Sequence, residues 1–390
     1  MQLSKKYVIF GAGKYGRLAL DEYEGEVAYY IDSNPEKWDT YLEGIVIKSL
    51  SYFLENDKDR YLVLIASKQR NEMERILVDA GITNYKYFLD FDKVYAPTNR
   101  LIYNPYKRGV DRGLTEELWN EFQNNNELAR KKIFDELSRI QSIDKYLFDH
   151  VEIETINRCN GGCDFCPVSK KNESRKFKVM EWELFRNIID QLAEIGYSGR
   201  LALFSNNEPF LDEGILEKHE YARNNLPSCR MHLFTNGTLL TIDKFLKLIE
   251  YLDELVIDNY NQELKLIKPC QEIVEYCNEN DDIRKKVTIV LRKPHEILTS
   301  RGGDAPNRGN IVSYPDLPCV LPFKQLIIRP DGKVSLCCND PLGRDTLGDV
   351  KKDKLVDIWY GERFSLVREK LGSGRGNWNH CVNCDNFSIG

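Results

Sequence analysis

Asn157-Arg158-Cys159-Asn160-Gly161-Gly162-Cys163-Asp164-Phe165-Cys166-Pro167 sets three cysteines within eight residues, at the spacing Cys-x3-Cys-x2-Cys. The stretch directly follows a strand-like segment, Val151 to Thr155. Three thiolates on a glycine-containing loop can fold round one face of an iron–sulfur cubane. Four irons need four ligands, so three cysteines leave one iron open. An open metal position suits a catalytic site rather than a structural one. A zinc knuckle is the competing reading, but zinc takes a fourth protein ligand, and no fourth cysteine or histidine stands nearby in the sequence.

Strand and helix patterns alternate on both sides of this loop. Downstream, Arg200–Phe204, Arg230–Phe234, Glu254–Ile257 and Lys286–Leu291 read as strands, and Trp182–Ile195 and Ile242–Tyr251 as helices. Strand spacings of roughly 25 to 45 residues suit a barrel-like β/α array. Beyond Gly303 the character changes. Gln325–Ile328 and Lys333–Leu336 flank Arg329-Pro330-Asp331-Gly332, a hairpin signal, and a helical stretch covers Leu355–Leu371. Upstream, Leu114–Leu147 looks helical, and Phe91–Gly113, with Pro97, Pro105, Gly109 and Gly113, reads as a linker. The first 90 residues alternate again: strands Tyr7–Phe10, Val27–Ile31, Tyr61–Ala66 and Tyr85–Leu89, with helices after Gly13 through Glu22 and at Arg70–Asp79. Alternation of this kind implies α/β architecture with parallel sheets and right-handed crossovers.

Composition limits the function classes. At about 150 residues per domain, 390 residues make roughly two to three domains. With 42% hydrophobic and 30% charged residues, the chain can bury real cores. Lys plus Arg number 55 and Asp plus Glu 61, so the net charge of −6 argues against a bulk electrostatic grip on nucleic acid. The apolar runs, such as Tyr61–Ala66, fall well short of the about 20 residues a membrane span needs. The N-terminus shows no secretory signal, so the expected location is the cytoplasm. All 11 cysteines lie at or beyond residue 159. In a reducing compartment, clustered thiols point to metal ligation or catalysis and not to disulfides.

Two further constellations stand out. Cys319 is separated by twelve residues from Gly332, and Gly332 by four from Cys337; Cys381-Val382-Asn383-Cys384 follows the last helical stretch. Four thiolates from a hairpin and a distant pair can close completely round a [4Fe–4S] cluster or bind zinc tetrahedrally. Cys338 neighbours Cys337 and could exchange with it as ligand. At the other end, Gly11-x-Gly13-x-x-Gly16 follows a strand and opens a helix, and Asp32 ends the next strand about 20 residues on, the context of a dinucleotide fingerprint. A 90-residue unit nevertheless lacks the second half of a full dinucleotide fold. Its ligand is a nucleotide, a nucleotide-sugar or NAD, or it has a structural or docking role only.

The triplet after the first strand of a β/α array resembles the radical S-adenosylmethionine (radical SAM) superfamily. Ser205-Asn206-Asn207-Glu208-Pro209 ends the second strand, where that family has a Gly-Gly-Glu-Pro-like segment at the methionine amino group; Asn206 and Asn207 replace its glycines here. Phe234-Thr235-Asn236-Gly237 ends the third strand and is similar to the family's Thr-Asn-Gly. The resemblance covers residues 150–310 and implies a partial β/α barrel. It implies that Cys159, Cys163 and Cys166 hold a [4Fe–4S] cluster whose open iron takes the amino and carboxylate groups of SAM. Asn206, Asn207, Glu208, Thr235 and Asn236 would line the SAM site, with Phe165 beside the adenine. One electron would cleave SAM to methionine and a 5′-deoxyadenosyl radical, which abstracts a substrate hydrogen.

The second cysteine set resembles the auxiliary-cluster module called SPASM, in its shorter twitch form. Only Asp385–Gly390 follow, without further cysteines. Residues 311–390 would then hold one auxiliary [4Fe–4S] cluster on Cys319, Cys337, Cys381 and Cys384, with no open iron and a role in electron transfer. Arg292, at a strand end, and Arg301, on Arg301-Gly302-Gly303-Asp304, are the candidate catalytic residues, for the SAM carboxylate, a substrate phosphate or a substrate alkoxide. Residues 1–95, with Gly11, Gly13, Gly16 and Asp32 as candidate cofactor contacts, resemble small Rossmann-like domains attached to sugar-modifying enzymes; residues 96–149 form a linker and helical connector. The expected function is oxidation or epimerisation of a sugar, nucleotide-sugar or cyclitol, with a flavodoxin or ferredoxin as reducing partner and neither nucleic acid nor membrane involved. A peptide-modifying maturase and a non-enzymatic iron–sulfur or zinc scaffold are the alternatives.

Overall fold

Parallel sheets dominate both halves of the chain, as strand–helix alternation requires. The computed structural model describes residues 6–23, 25–67, 70–88, 101–105, 127–309 and 314–386. The chain divides into two compact units, residues 1–96 with 105–113, and residues 97–104 with 114–390.

The first unit is a six-stranded sheet: β1 (Tyr7–Phe10), β2 (Val27–Ile31), β3 (Tyr41–Leu42), β4 (Ile45–Lys48), β5 (Leu62–Ile65) and β6 (Tyr85–Tyr87), in the order β3-β4-β2-β1-β5-β6. All neighbours pair parallel except β3 with β4. The glycine turn leaves β1 and starts the helix Lys14–Glu22. Gly11 sits at φ 114, and a Cβ there would lie 2.5 Å from the Ala66 carbonyl oxygen. A Cβ on Gly16 would lie 2.0 Å from the Gly11 carbonyl oxygen, so both glycines are demanded by close backbone approach. Sequence patterning did not foresee the β3–β4 hairpin. Its turn residues Glu43 and Gly44 both have positive φ, 50 and 76, as tight two-residue hairpin turns require.

The second unit is built on a nine-stranded sheet. Its strands are β7 (Ile102–Tyr103), β8 (His150–Ile153), β9 (Arg200–Ala202), β10 (Arg230–Thr235), β11 (Glu254–Tyr260), β12 (Val287–Arg292), β13 (Gln325–Ile328), β14 (Lys333–Ser335) and β15 (Thr346–Asp349). Their order is β15-β14-β13-β8-β9-β10-β11-β12-β7. From β13 through β7 every pairing is parallel; β13–β14 and β14–β15 are antiparallel. Helices such as Trp182–Glu194, Ile215–Asn225 and Lys268–Glu279 connect the parallel strands, their apolar faces buried. Within the stretch read as a linker, Ile102–Tyr103 adds an edge strand to β12. Of the helical stretch expected over Leu114–Leu147, Glu127–Gln141 is a helix, and 106–126 lies outside the described residues.

The single helix expected over Leu355–Leu371 is two, Leu355–Trp359 and Glu362–Ser373. The break at Tyr360–Gly361 lets both present buried faces to one core. There the fully buried Trp359 packs against Phe148 and Phe364, with ring centroids 5.3 and 5.0 Å away. Because the central strands run parallel, their C-terminal ends open on one side. The cysteine loop follows β8, Asn206–Glu208 follow β9, Asn236 follows β10, and Tyr260 and Arg292 end β11 and β12. In β/α arrays that is the side where chemistry is placed.

Candidate active site

The cysteine loop is fastened from outside. Asp164 N donates to the Pro294 carbonyl (3.0 Å), Lys170 N to Gly161 O (3.0 Å), and the Asn172 side-chain amide to Cys166 O (3.0 Å). Asp164 Oδ2 lies 2.5 Å from His295 Nδ1. A Cβ placed on Gly161 would lie 3.3 Å from Cys159 Sγ, 3.9 Å from Cys163 Sγ and 3.9 Å from Asn236 Nδ2. The glycine thus keeps open a hollow faced by two thiols and an amide. Burial pushes the Cys163 thiol up to about 12, and the neighbouring Cys166 and Cys159 add to the shift.

Glu208 ties this loop to the next two. Its backbone N–H donates to Arg158 O (2.8 Å). Its buried carboxylate accepts from Thr235 Oγ1 (2.7 Å), Phe210 N (3.2 Å) and Asn236 N (2.8 Å). The carboxylate expected at the SAM amino group is therefore engaged with protein donors. Asn236 Nδ2 donates to Asn160 Oδ1 (2.8 Å) and lies 4.0 Å from Cys159 Sγ, while its Oδ1 accepts from Thr238 N and Oγ1. Asn207 Oδ1 accepts from Ser205 N (2.9 Å), and its buried Nδ2 has no partner among the described residues. Phe165 is buried, 6.0 Å from the Tyr260 ring.

Removing the Glu208 carboxylate strands three buried donors, each of which costs about 1–3 kcal/mol when unpaired. Glu208→Ala is expected to lower unfolding stability by about 3 kcal/mol or more, seen as a lower urea midpoint at unchanged slope. A variant as stable as the parent would show that the clamp does not hold these loops.

The two arginines separate. Arg292 is buried, with Nε donating to Asp258 Oδ1 (3.2 Å) and Nη1 to Glu296 Oε2 (2.9 Å). Arg301 takes φ 52, a left-handed conformation uncommon for a residue with a side chain, and its Nη2 donates to Asn206 Oδ1 (3.2 Å). Asn206 Nδ2 in turn donates to Cys338 O (3.2 Å). The Arg301 loop is pinned to the residues on either side of Cys384. Ser300 N donates to Asp385 Oδ1 (2.8 Å), Ser300 Oγ to Asn383 O (2.7 Å), and Arg308 pairs with Asp385 at 2.9 Å, both side chains 1% exposed.

Sequence reading missed Glu152, a buried carboxylate on β8. Ser205 Oγ donates to its Oε2 (2.6 Å). Burial pushes it up to about 7, against the hydrogen bond from Ser205 and the charges of Arg301 and Arg200. The available signal was His150, Glu152 and Glu154 alternating on one face of an otherwise apolar strand. Arg375 was missed too: fully buried, it donates to Cys384 O (3.0 Å).

The second cysteine set converges. The buried Cys337 thiol is pushed well up by burial, and then by Cys338, Cys319, Cys381 and Cys384 around it. Cys338 instead has Glu152 and Arg301 as its first charged neighbours. Grouped buried thiols are held deprotonated together only by a positively charged centre. Among the described residues no three His, Cys, Asp or Glu side chains are placed to hold a single metal ion. A cubane takes one thiolate on each of several irons, and grouped thiols of this kind are the donor type that it needs.

In the first unit Asp32 is buried. Its carboxylate accepts from Ala12 N (2.9 Å), Asn34 N (2.9 Å) and Lys37 Nζ (2.9 Å). These donors hold the carboxylate below its ordinary range despite burial, so a ribose would have to compete with them. Gly13 has open space where a Cβ would stand. No described helix is long and apolar enough to cross a membrane.

Residues 153–265 match the radical SAM superfamily and residues 319–385 match SPASM, an iron–sulfur cluster-binding domain. The S-adenosyl-L-methionine-dependent 2-deoxy-scyllo-inosamine dehydrogenase of Niallia circulans is 26% identical over 248 residues, 62% of this chain and 95% of that one. An uncharacterized protein of Methanocaldococcus jannaschii is 30% identical over 107 residues, 27% of this chain and 35% of that one. The crystal structure of BtrN in complex with AdoMet and 2-DOIA superposes with a TM-score of 0.54 at 24% identity, covering 63% of this chain and 95% of that one, a likeness of fold. With a radical SAM domain over residues 153–265 and an iron–sulfur cluster-binding domain over residues 319–385, the chain carries the domains of a radical SAM enzyme, whose cofactors are SAM and two [4Fe–4S] clusters.

Proposed function

We propose that this enzyme dehydrogenates a hydroxyl-bearing carbon of a cyclitol or sugar, yielding a ketone. The observation that carries the reading is the polar group beside the closed cysteine set: Glu152, Ser205, Asn206 and Arg301, linked by the contacts above and adjoining Cys338. A carboxylate, a hydroxyl, an amide and a guanidinium in one partly buried patch suit a polyhydroxylated ring. The name of the Niallia circulans relative, a dehydrogenase of an aminocyclitol, supports the same class.

When bound, SAM and the clusters supply hydrogen abstraction from a substrate C–H and an acceptor for the electron left behind. The chain's residues orient the substrate and handle its proton. Ser205 occupies Glu152 Oε2; Oε1, 3.7 Å from His150 Nε2, is the atom assigned to take the hydroxyl proton. A carboxyl poised near 7 suits a general base. Arg301, held by Asn206, stabilises the developing alkoxide. Arg292, engaged with Asp258 and Glu296, positions the end of β12. Asn207, with its unpartnered amide, and Asn236 are assigned to SAM, Phe165 to its adenine, and Glu208 to holding their loops. Cys159, Cys163 and Cys166 are assigned to one cluster and Cys319, Cys337, Cys381 and Cys384 to the other, with Cys338 outside the ligand set because Cys337 keeps the four-residue spacing from Gly332.

We further infer that residues 1–95 are a Rossmann-like domain, 96–149 a connector, 150–310 the partial barrel and 311–390 the twitch-type module. The parallel sheet and the glycine turn of the first unit support the first assignment, and the engaged Asp32 carboxylate favours docking over nucleotide binding there. A cytoplasmic location belongs to the same reading, supported by eleven cysteines that a cluster-bearing protein must keep reduced.

The test is anaerobic turnover with SAM and reductant on 2-deoxy-scyllo-inosamine and other aminocyclitols, nucleotide-sugars and short peptides. The expected result is 5′-deoxyadenosine and ketone in equal amounts from a cyclitol or sugar. An epimer without net oxidation rejects the dehydrogenase, and turnover confined to peptides establishes the maturase.

A further inference from the structure

Reductive cleavage of SAM needs an electron from outside, and it must enter through a face close to the cysteine triplet. One segment wraps that loop. Side chains of Lys170 and Lys171 lie over Gly162, each Cε 3.5 Å from where its Cβ would stand. Lys171 Nζ pairs with Asp164 in the loop itself (3.1 Å). Further on, Asn157 Nδ2 donates to Lys176 O (2.7 Å), Lys178 N to Asn157 Oδ1 (2.8 Å), and Arg158 Nη2 to Arg175 O (3.0 Å). Residues 169–178 therefore lie along both the residues leading into Cys159 and the loop that follows.

The charge of this segment runs against that of the chain. Within 169–178 stand Lys170, Lys171, Arg175, Lys176 and Lys178 against one acid, Glu173, while the chain as a whole carries −6. Arg175 is half-buried and neutralised by Glu154 and Glu173. Lys170 and Lys176 are exposed and, among the described residues, pair with no carboxylate. Between the lysines Phe177 is 57% exposed, its ring under the Arg158 guanidinium at 5.2 Å. Beside them opens a cleft of about 310 Å³, lined in part by Arg175, Lys176, Phe177 and Arg329. Exposed apolar area rimmed by uncompensated positive charge fits a protein partner and not bulk solvent.

We propose that residues 169–178 are the docking surface for a small acidic one-electron carrier protein that reduces the cluster on Cys159, Cys163 and Cys166. Lys170 and Lys176 attract the carrier's carboxylates, and Phe177 seats against apolar surface beside its redox group. In each transfer one electron leaves the carrier's reduced flavin and one arrives at the cluster; no bond forms or breaks. The proposal rests on the radical SAM chemistry alone and is independent of the substrate.

The test compares the holoenzyme with the Lys170→Glu/Lys176→Glu and Phe177→Ala variants, using a flavodoxin as probe. Calorimetric Kd is measured at low and high salt. SAM cleavage is measured with the flavodoxin and, separately, with dithionite. Binding by the parent is expected to weaken as salt rises, and the double charge reversal to raise Kd by about tenfold or more. Phe177→Ala is expected to raise Kd with the salt dependence retained. Cleavage driven by dithionite stays at the parental rate in both variants. Unchanged flavodoxin binding in the double variant overturns the proposal. So does an equal loss with dithionite, which would make the segment a support for the cluster loop. Equal affinity for phosphatidylserine vesicles, lost in the same variant, would make it a general anion face and also reject the carrier.

Discussion

Alanine at Cys159, Cys163 and Cys166 is expected to leave about four irons per chain in place of about eight. Release of 5′-deoxyadenosine should fall by about a thousandfold or more. The size of the effect follows from the chemistry. Without thiolates there is no centre to carry the electron into the sulfonium, and no other residue in the hollow over Gly161 can replace it. The fold should survive, because the loop is held from outside by contacts that do not involve the thiols: Asp164 to Pro294, Lys170 to Gly161, and Glu208 to Arg158. Circular dichroism and the urea midpoint should therefore stay near the parental values while iron content halves. Undiminished iron, or zinc in its place, would refute the assignment of the triplet. Single replacements should behave like the triple one, since two thiolates do not hold a cubane against loss.

How far the sequence discloses the molecule depends on whether the cause of each feature is local. Tyr7–Phe10, Val27–Ile31, Arg70–Asp79 and Gln325–Ile328 take the bounds their patterns predict, because apolar runs flanked by polar or turn residues carry their own limits. Tyr41–Leu42, Ile102–Tyr103 and Thr346–Asp349 went unread. They are two to four residues long, all three at sheet edges, and only a partner strand makes them strands. The break at Tyr360–Gly361 likewise answers to the core around Trp359, which periodicity does not reveal. In the site, the cysteine spacings and the loops at strand ends were legible because strand order and parallel direction bring those ends together. The partners of the charges were not. Glu208 reads as a ligand contact from its place at a strand end, whereas Thr235 and Asn236 from the next strand end, with Phe210 N of its own turn, fill its carboxylate. Glu152 reads as one acid on a strand; its importance comes from Ser205, Arg301 and Cys338, all at least 53 positions away.

Replacing Cys381 and Cys384 by alanine should uncouple the enzyme. About four irons should remain, on the triplet. 5′-Deoxyadenosine should still form at a rate within a few-fold of the parent, while ketone falls by about a hundredfold or more. The ratio of the two, near one in the parent, should therefore rise steeply. A second effect travels with the first, because the Arg301 loop is pinned to the residues on either side of Cys384 through Ser300, Arg308 and Asp385. Loss of the cysteines could loosen that loop and act through Arg301 instead of through electron removal. Asp385→Asn separates the two causes. It keeps all four thiols but removes one charge of a buried ion pair, a change that costs about 3 kcal/mol. If Arg301 positioning alone were at stake, this variant would reproduce the uncoupling. If the cysteines matter for the electron, it should raise the substrate KM and leave the ratio of 5′-deoxyadenosine to ketone near one. A cysteine variant that still turns alcohol into ketone with equal 5′-deoxyadenosine would remove the second set from the reaction altogether.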